Sequence, residues 1–279
     1  MDDPSFSPGE LMEIVSKRVD FVDALADRPA EKRDLVDRVG VSRSTVNRAV
    51  WDLEEAGLVE DADGEYRLTV GGRLLREQYD RYEAEATAIA AANGLLQYLP
   101  QSTPISVDFL CGADVFTVAD PAPHVPATVL TEVIGDAESV RGVSRSHAAP
   151  TVDDALRDVV ARGGTIEVVF RDGVFDQIRS MYDWVTDRVA SGDYRPHVVD
   201  DLPYGLVIAE QAAKQPAASE PSSADTPADR TVYCLVVHDE RESLAGIIVN
   251  DTDVAVEWAT DVFERYRSEA ASVTARDEE

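Results

Sequence analysis

Arg43, Ser44, Asn47 and Arg48 follow one another at spacings of one, three and one, which puts all four on one side of a helix. Arginine can pair bidentately with guanine, asparagine with adenine, and a hydroxyl reaches a base or a phosphate. Arg38, Ser42 and Thr45 extend the set, and Arg67 stands further on where it could reach a phosphate. From Arg38 to Trp51 there are three arginines and no carboxylate, in a chain with 54 acids. That gap marks a face kept clear of negative charge, and the chemistry it suits is hydrogen bonding to double-stranded DNA.

Such side chains need a short, rigidly held helix. Leu35, Val36 and Val39 give the stretch from Glu31 one apolar helical face, and Gly40 follows where a left-handed residue ends a helix. Val41 plugs the turn and Ser42 offers an N-cap oxygen. A second helix is expected from about Arg43 to Ala56, with Val46, Val50 and Leu53 inward and Gly57 as its stop. Two short helices joined by a turn containing glycine form a helix-turn-helix. Leu58-Val59, Asp61-Ala62-Asp63-Gly64 and Tyr66-Arg67-Leu68 then read as strand, turn and strand. Upstream, Glu10–Ala26 reads as one helix striped by Leu11, Ile14, Val15, Val19, Val22 and Leu25.

The words LVDRVGVSRSTVNRAVWDLEEAGLV and YRLTVGGRLL resemble the winged-helix regulators of the MarR, GntR and ArsR kind. The resemblance implies a winged helix-turn-helix DNA-binding domain over 1–71. Winged helices also serve as protein-docking modules; the acid-free strip weighs against that here.

The formal charge is −28, with only three lysines, Lys17, Lys32 and Lys214. Acid excess with scarce lysine resembles the proteins of salt-loving archaea. In molar salt the Debye length falls to about 3 Å, so self-repulsion is screened and phosphate attraction weakens too. DNA binding then leans on base contacts, wing shape and dimerisation. No apolar run is long enough to span a membrane, and the acidic start MDDPSFSPGE carries no signal core; a cytoplasmic protein is expected. Cys111 and Cys234 form no metal spacing and read as buried thiols, with a redox pair as the alternative.

After the wing, Gly71-Gly72 is expected to open a linker helix over 72–99. Leu75, Tyr79, Tyr82, Ala86, Ile89, Asn93 and Leu96 alternate spacings of four and three, a heptad seam. The seam would pair two chains into a homodimer, or pack the helix on its own second domain. Residues 100–279 alternate strands and helices, an α/β domain. Ile105–Leu110 and Asp114–Ala119 read as short strands, or as a strand and a turn, Pro121–Pro126 as a loop, Gly173–Val189 as one helix, and 211–230 as a disordered loop. The fold class expected is therefore an α+β winged helix-turn-helix domain, a long linker helix and an α/β C-terminal domain.

The words GGTIEVVFRDGVFDQI, LPYGLVIAE, YCLVVHDE and LAGIIVNDTDVAVEWATDVFERYR resemble the archaeal regulators whose C-terminal α/β domain was first named from a regulator of methanogenesis genes. This implies an effector-sensing domain of unspecified ligand. Sugar-responsive regulators of the TrmB type share the plan with a phospholipase-D-related domain, but no His-x-Lys signature is present. No Walker loop, Gly-x-Gly-x-x-Gly, Gly-x-Ser-x-Gly or His-Glu-x-x-His occurs either, so no catalytic residue, metal ligand or cofactor is expected. A pocket for a small-molecule effector should lie where strand ends meet helix starts; Arg171, Asp172, His197, Tyr204 and Asn250 are the candidates. The competing expectation is a small-molecule enzyme whose winged helix is a docking or dimerisation module; a constitutive architectural protein is the third.

Overall fold

The computed structural model describes residues 6–147, 149–211 and 230–273. Its contacts divide the chain into two compact units, parted between Ala86 and Thr87.

The first unit holds α1 (Pro8–Lys17), α2 (Val19–Asp27), α3 (Lys32–Val39), α4 (Arg43–Glu55), β1 (Val59–Ala62), β2 (Glu65–Leu68) and the start of α5 (Val70–Leu96). The single helix expected over Glu10–Ala26 is two, because Arg18 leaves helical geometry and caps the first of them. Gly40 adopts φ 72° and closes α3, while Ser42 Oγ accepts from Thr45 N at 3.2 Å and opens α4. Leu35, Val46, Val50 and Leu53 are fully buried in the core of this unit. β1 and β2 pair antiparallel across Asp63 and Gly64, both at positive φ, the geometry that tight hairpins favour. Ala30 bridges to Tyr66 and so ties the hairpin to the chain ahead of α3.

α5 begins at Val70, ahead of the two glycines, and ends at Leu96. Thr69 Oγ1 accepts from Gly72 N at 3.0 Å and donates to Gly57 O at 2.8 Å. The expected seam is split by burial. Tyr79 is buried in the core of the first unit, donating to Ser16 Oγ at 3.3 Å, and Leu75 packs against that core. Leu96 packs half-buried on the second unit's core, beside the fully buried Ala92 and Leu95. Only Tyr82, Ile89 and Asn93 of the seven seam residues stay exposed. The heptad count could not separate these, because core-facing and solvent-facing positions alternate along this helix.

The second unit is built on an eight-stranded mixed sheet. Its strands are β3 (Asp114–Thr117), β4 (Ala137–Ser144), β5 (Thr165–Arg171), β6 (Tyr194–Val199), β7 (Gly205–Gln211), β8 (Arg230–His238), β9 (Leu244–Asn250) and β10 (Ala271–Ser272), in the order β10-β6-β5-β4-β7-β8-β9-β3. β4, β5 and β6 run parallel; the other pairings are antiparallel. Besides α5, the helices are α6 (Val107–Leu110), α7 (Val125–Gly135), α8 (Pro150–Ala161), α9 (Val174–Met181), α10 (Asp183–Ser191) and α11 (Asp253–Glu269). α7 to α10 cover one face and α6 and α11 the other. Burial on both faces explains the nearly unbroken apolar runs TIEVVF and YCLVVH.

Three local expectations change. Val107–Leu110 is a helical turn rather than a strand, packing Phe109 and Leu110 into the core. α7 absorbs Pro126 at its first turn, where a missing N–H costs nothing. The stretch read as one helix over Gly173–Val189 breaks at Tyr182 into α9 and α10. Of the loop expected at 211–230, residues 212–229 lie outside the described residues.

Candidate nucleic-acid interface

The apolar side of α4 is anchored by Val46, Ala49, Val50 and Leu53, so the opposite side faces out. Arg43, Ser44, Asn47 and Arg48 are all exposed. Among the described residues, neither Arg43 nor Arg48 pairs with a carboxylate, whereas Arg18, Arg33, Arg67 and Arg76 of the same unit do. Trp51 follows Asn47 by one turn and is 59% exposed, a large apolar surface left open beside the arginines. The sequence reading missed Lys32. Its ammonium lies 5.0 Å over the Tyr66 ring, and together with Arg33, Arg43, Val46 and Asn47 it lines a depression of about 270 Å³. Arg33 is offset by Glu31 at 3.2 Å and Asp34 at 3.6 Å. The only sequence signal for Lys32 was its rarity, one lysine of three.

The remaining members of the predicted set have other work. Arg38 donates to the carbonyls of Ala24 (3.1 Å) and Arg28 (3.3 Å), closing the end of α2 onto α3. It is a structural clamp, invisible in sequence because its acceptors are backbone atoms. Ser42, Ser44 and Thr45 share a hydroxyl cluster, with Ser42 Oγ 2.8 Å from Ser44 Oγ and 2.9 Å from Thr45 Oγ1. Ser42 and Thr45 are thus occupied in capping the helix. Arg67 projects from β2 but donates to Glu60 Oε1 at 2.7 Å across the hairpin. Arg18 donates to Asp52 Oδ2 through Nε (3.0 Å) and Nη2 (2.6 Å), fixing the outer half of α4.

In the second unit the five expected ligand residues do not converge. Asn250 is buried with its amide spent: Nδ2 donates to Phe109 O and Cys111 O at 3.0 Å, and Oδ1 accepts from Thr252 N at 2.9 Å. Tyr204 is wholly buried in the core on the α11 side. His197 faces Glu167 at 3.0 Å and Ser272 at 3.2 Å. Asp172 is exposed. Arg171 grips Glu242 with both terminal nitrogens, at 2.5 and 3.1 Å, which holds the Glu242 carboxyl below its usual range. Strand-end position was the signal used for all five, and it does not distinguish a capping residue from a ligand. Cys234 is a core residue whose thiol burial pushes up to about 12, and neither cysteine forms a disulfide. Among the described residues no group of three or more His, Cys, Asp or Glu could hold a metal ion, and no helix is long and apolar enough to cross a membrane.

Two family models match the chain. Residues 123–269 match the middle domain of the methanogenesis regulatory protein FilR1, more than half of the 279 residues. Residues 10–90 match the HVO_A0261 N-terminal domain. No curated protein matches. Among solved structures, TrmBL2, an archaeal chromatin protein with a novel mode of DNA binding, is 12% identical. It covers 96% of this chain and 100% of its own at a TM-score of 0.42. Nuc from Salmonella typhimurium, a phospholipase D family member, is 13% identical over 58% of this chain and 97% of its own, at 0.36. NucT from Helicobacter pylori is 10% identical over 58% and 98%, at 0.40. Likenesses this distant bear on neither fold nor function.

Proposed function

We propose that this chain, which belongs to the family of the middle domain of the methanogenesis regulatory protein FilR1, is a DNA-binding transcription regulator and not an enzyme. The observation that carries the proposal is the exposed face of the first turns of α4, free of carboxylates from Arg43 to Trp51, with Arg43, Asn47 and Arg48 held outward by a fully buried apolar side. Laid in a major groove, its first two turns bring those side chains to base edges, while Lys32 sits where a phosphate would pass. The hairpin β1–β2 then acts as the wing. The chain works as a homodimer on a palindromic site, with exposed Tyr82, Ile89 and Asn93 of α5 as the pairing residues. It is cytoplasmic and adapted to high salt, as its charge of −28 suits. A small-molecule effector held by the second unit shifts the balance between DNA-bound and free states.

The test is selection of genomic DNA fragments by the intact protein, followed by gel shift at matched salt with the wild type and an Arg43→Ala/Arg48→Ala variant. Two lost base contacts should each cost about 1–3 kcal/mol, so specific binding falls by tenfold or more while the melting temperature holds. Equal affinity of the two proteins for the selected site rejects the assignment.

A further inference from the structure

The second unit contains a cavity of about 70 Å³ between the sheet and helices α7 to α9. Most of its wall is apolar, including Leu130, Ile134 and Phe170. One end is polar, and its polar groups are short of partners. His238, at the end of β8, is 91% buried by its 9% exposure, and neither ring nitrogen has a hydrogen-bond partner. Arg145 Nε and Ser146 Oγ, in the segment after β4, are buried and unpartnered as well. Burying such atoms without partners is costly. Three of the groups can donate, the Arg145 Nε–H, the Ser146 hydroxyl and one ring N–H of neutral His238, and their residues line one cavity, the pattern of a site waiting for an acceptor.

The charge at this end is positive. Arg145 is held from behind, Nη1 donating to Leu202 O at 3.3 Å and Pro203 O at 3.1 Å. The nearest carboxylate, Glu242, is 3.9 Å from Nη2 and is already gripped by Arg171. Asp239 is occupied by the backbone N–H groups of Arg241 and Ser243 at 2.8 and 2.9 Å. Asp153, also in the wall, is matched by His147 at 2.5 Å. The Arg145 guanidinium therefore shares its one close carboxylate, Glu242, with Arg171, and its Nε carries no partner, in a chain with more than twice as many acids as bases.

We propose that this cavity binds a small monocarboxylate, its head group accepting from Arg145 Nε, Ser146 Oγ and a ring N–H of His238, and its short apolar body lying against Leu130, Ile134 and Phe170. The volume admits roughly four to six non-hydrogen atoms, which suits a short-chain acid and leaves out a hexose. The ligand is the effector of the regulator proposed above, and its meaning for transcription rests on that reading; the binding site does not.

The full chain is titrated with acetate, propionate, butyrate and hexanoate at constant chloride, by thermal shift and calorimetry. n-Butanol and inorganic phosphate are the controls for tail alone and anion alone. Butyrate at about 50 mM is expected to raise the melting temperature by about 2–4 °C, with neither control doing so. His238→Leu should fold at least as stably, having lost an unpartnered buried ring, and should lose the shift. Arg145→Gln should weaken binding at least tenfold. No shift and no heat with any of the four acids overturns the site and leaves a water-filled cavity; equal shifts in wild type and His238→Leu overturn the assignment of the head group. Neither readout contains DNA. Binding acids but not DNA would therefore sink the regulator and spare the site, and the reverse result would sink the site alone.

Discussion

Arg18 closes on Asp52 through two nitrogens of one guanidinium, at 3.0 and 2.6 Å, and so joins the α1–α2 break to the far half of the α4 helix. Both side chains are largely shielded, at 19% and 25% exposure. Asp52→Ala strands a part-buried cation and should cost about 1–3 kcal/mol in chemical denaturation. Arg43, Asn47 and Arg48 are untouched, so DNA affinity measured well below the melting temperature should stay near the wild-type value. A stability loss within error would show that the pair is solvated.

This pair also shows where sequence reasoning stopped. α4, its Ser42 cap, the Gly40 stop and the Asp63-Gly64 turn were legible because each depends on neighbours within a few residues. Arg38 and Asn250 are engaged by backbone carbonyls, 14 and 10 residues away for Arg38 and 141 and 139 away for Asn250, and no residue pattern announces such acceptors. Tyr79 looked like a seam residue because a heptad records spacing and not which face is covered. His238 stands in no His-x-Lys pattern and no metal spacing: its isolation is a property of the cavity, assembled from five strands and three helices, and no local pattern encodes it.

Gly71 and Gly72 look interchangeable in sequence, yet the backbone separates them. A Cβ on Gly72 would lie 2.1 Å from Leu58 O, while one on Gly71 would meet Thr69 Oγ1 at 3.6 Å. Gly72→Ala must push the start of α5 off the wing and should lose about 2–3 kcal/mol. Gly71→Ala should be neutral or gain up to about 1 kcal/mol from helix propensity. Denaturant midpoints of the two variants check the ordering, and a reversed order would contradict the close approach at Leu58.

His238 should give the apo protein an acid-side weakness. Burial and the nearby Arg145 lower its pKa to about 4 from 6.5, against the opposing pull of Glu242 and Asp239. The folded value lies below the unfolded one. Between about pH 6.5 and 4 the unfolded chain therefore takes up a proton that the folded chain refuses, and stability falls as pH drops. The full effect is on the order of 3 kcal/mol. Burial raises the Asp153 pKa, which acts with the opposite sign nearer pH 4. The difference between wild type and His238→Leu isolates the histidine: it should widen steadily on acidification across that window. A constant difference from pH 7 to 4 would mean that His238 is hydrated.

Glu60 holds Arg67 across the wing at 2.7 Å with both side chains about half exposed, so the wing's one basic side chain is partly neutralised before DNA arrives. A phosphate must compete with that carboxylate. Glu60→Gln removes the competitor, and its local repulsion of the duplex, without disturbing the strand pairing of Glu60 with Arg67. Affinity should rise for all sequences alike, since phosphate contacts carry no base information, and the salt slope should steepen by about 0.9 per wing. Arg67→Ala in the Glu60→Gln background should bring the slope back. If Glu60→Gln leaves both affinity and slope unchanged, the hairpin does not touch the backbone, and α4 must dock without a wing contact.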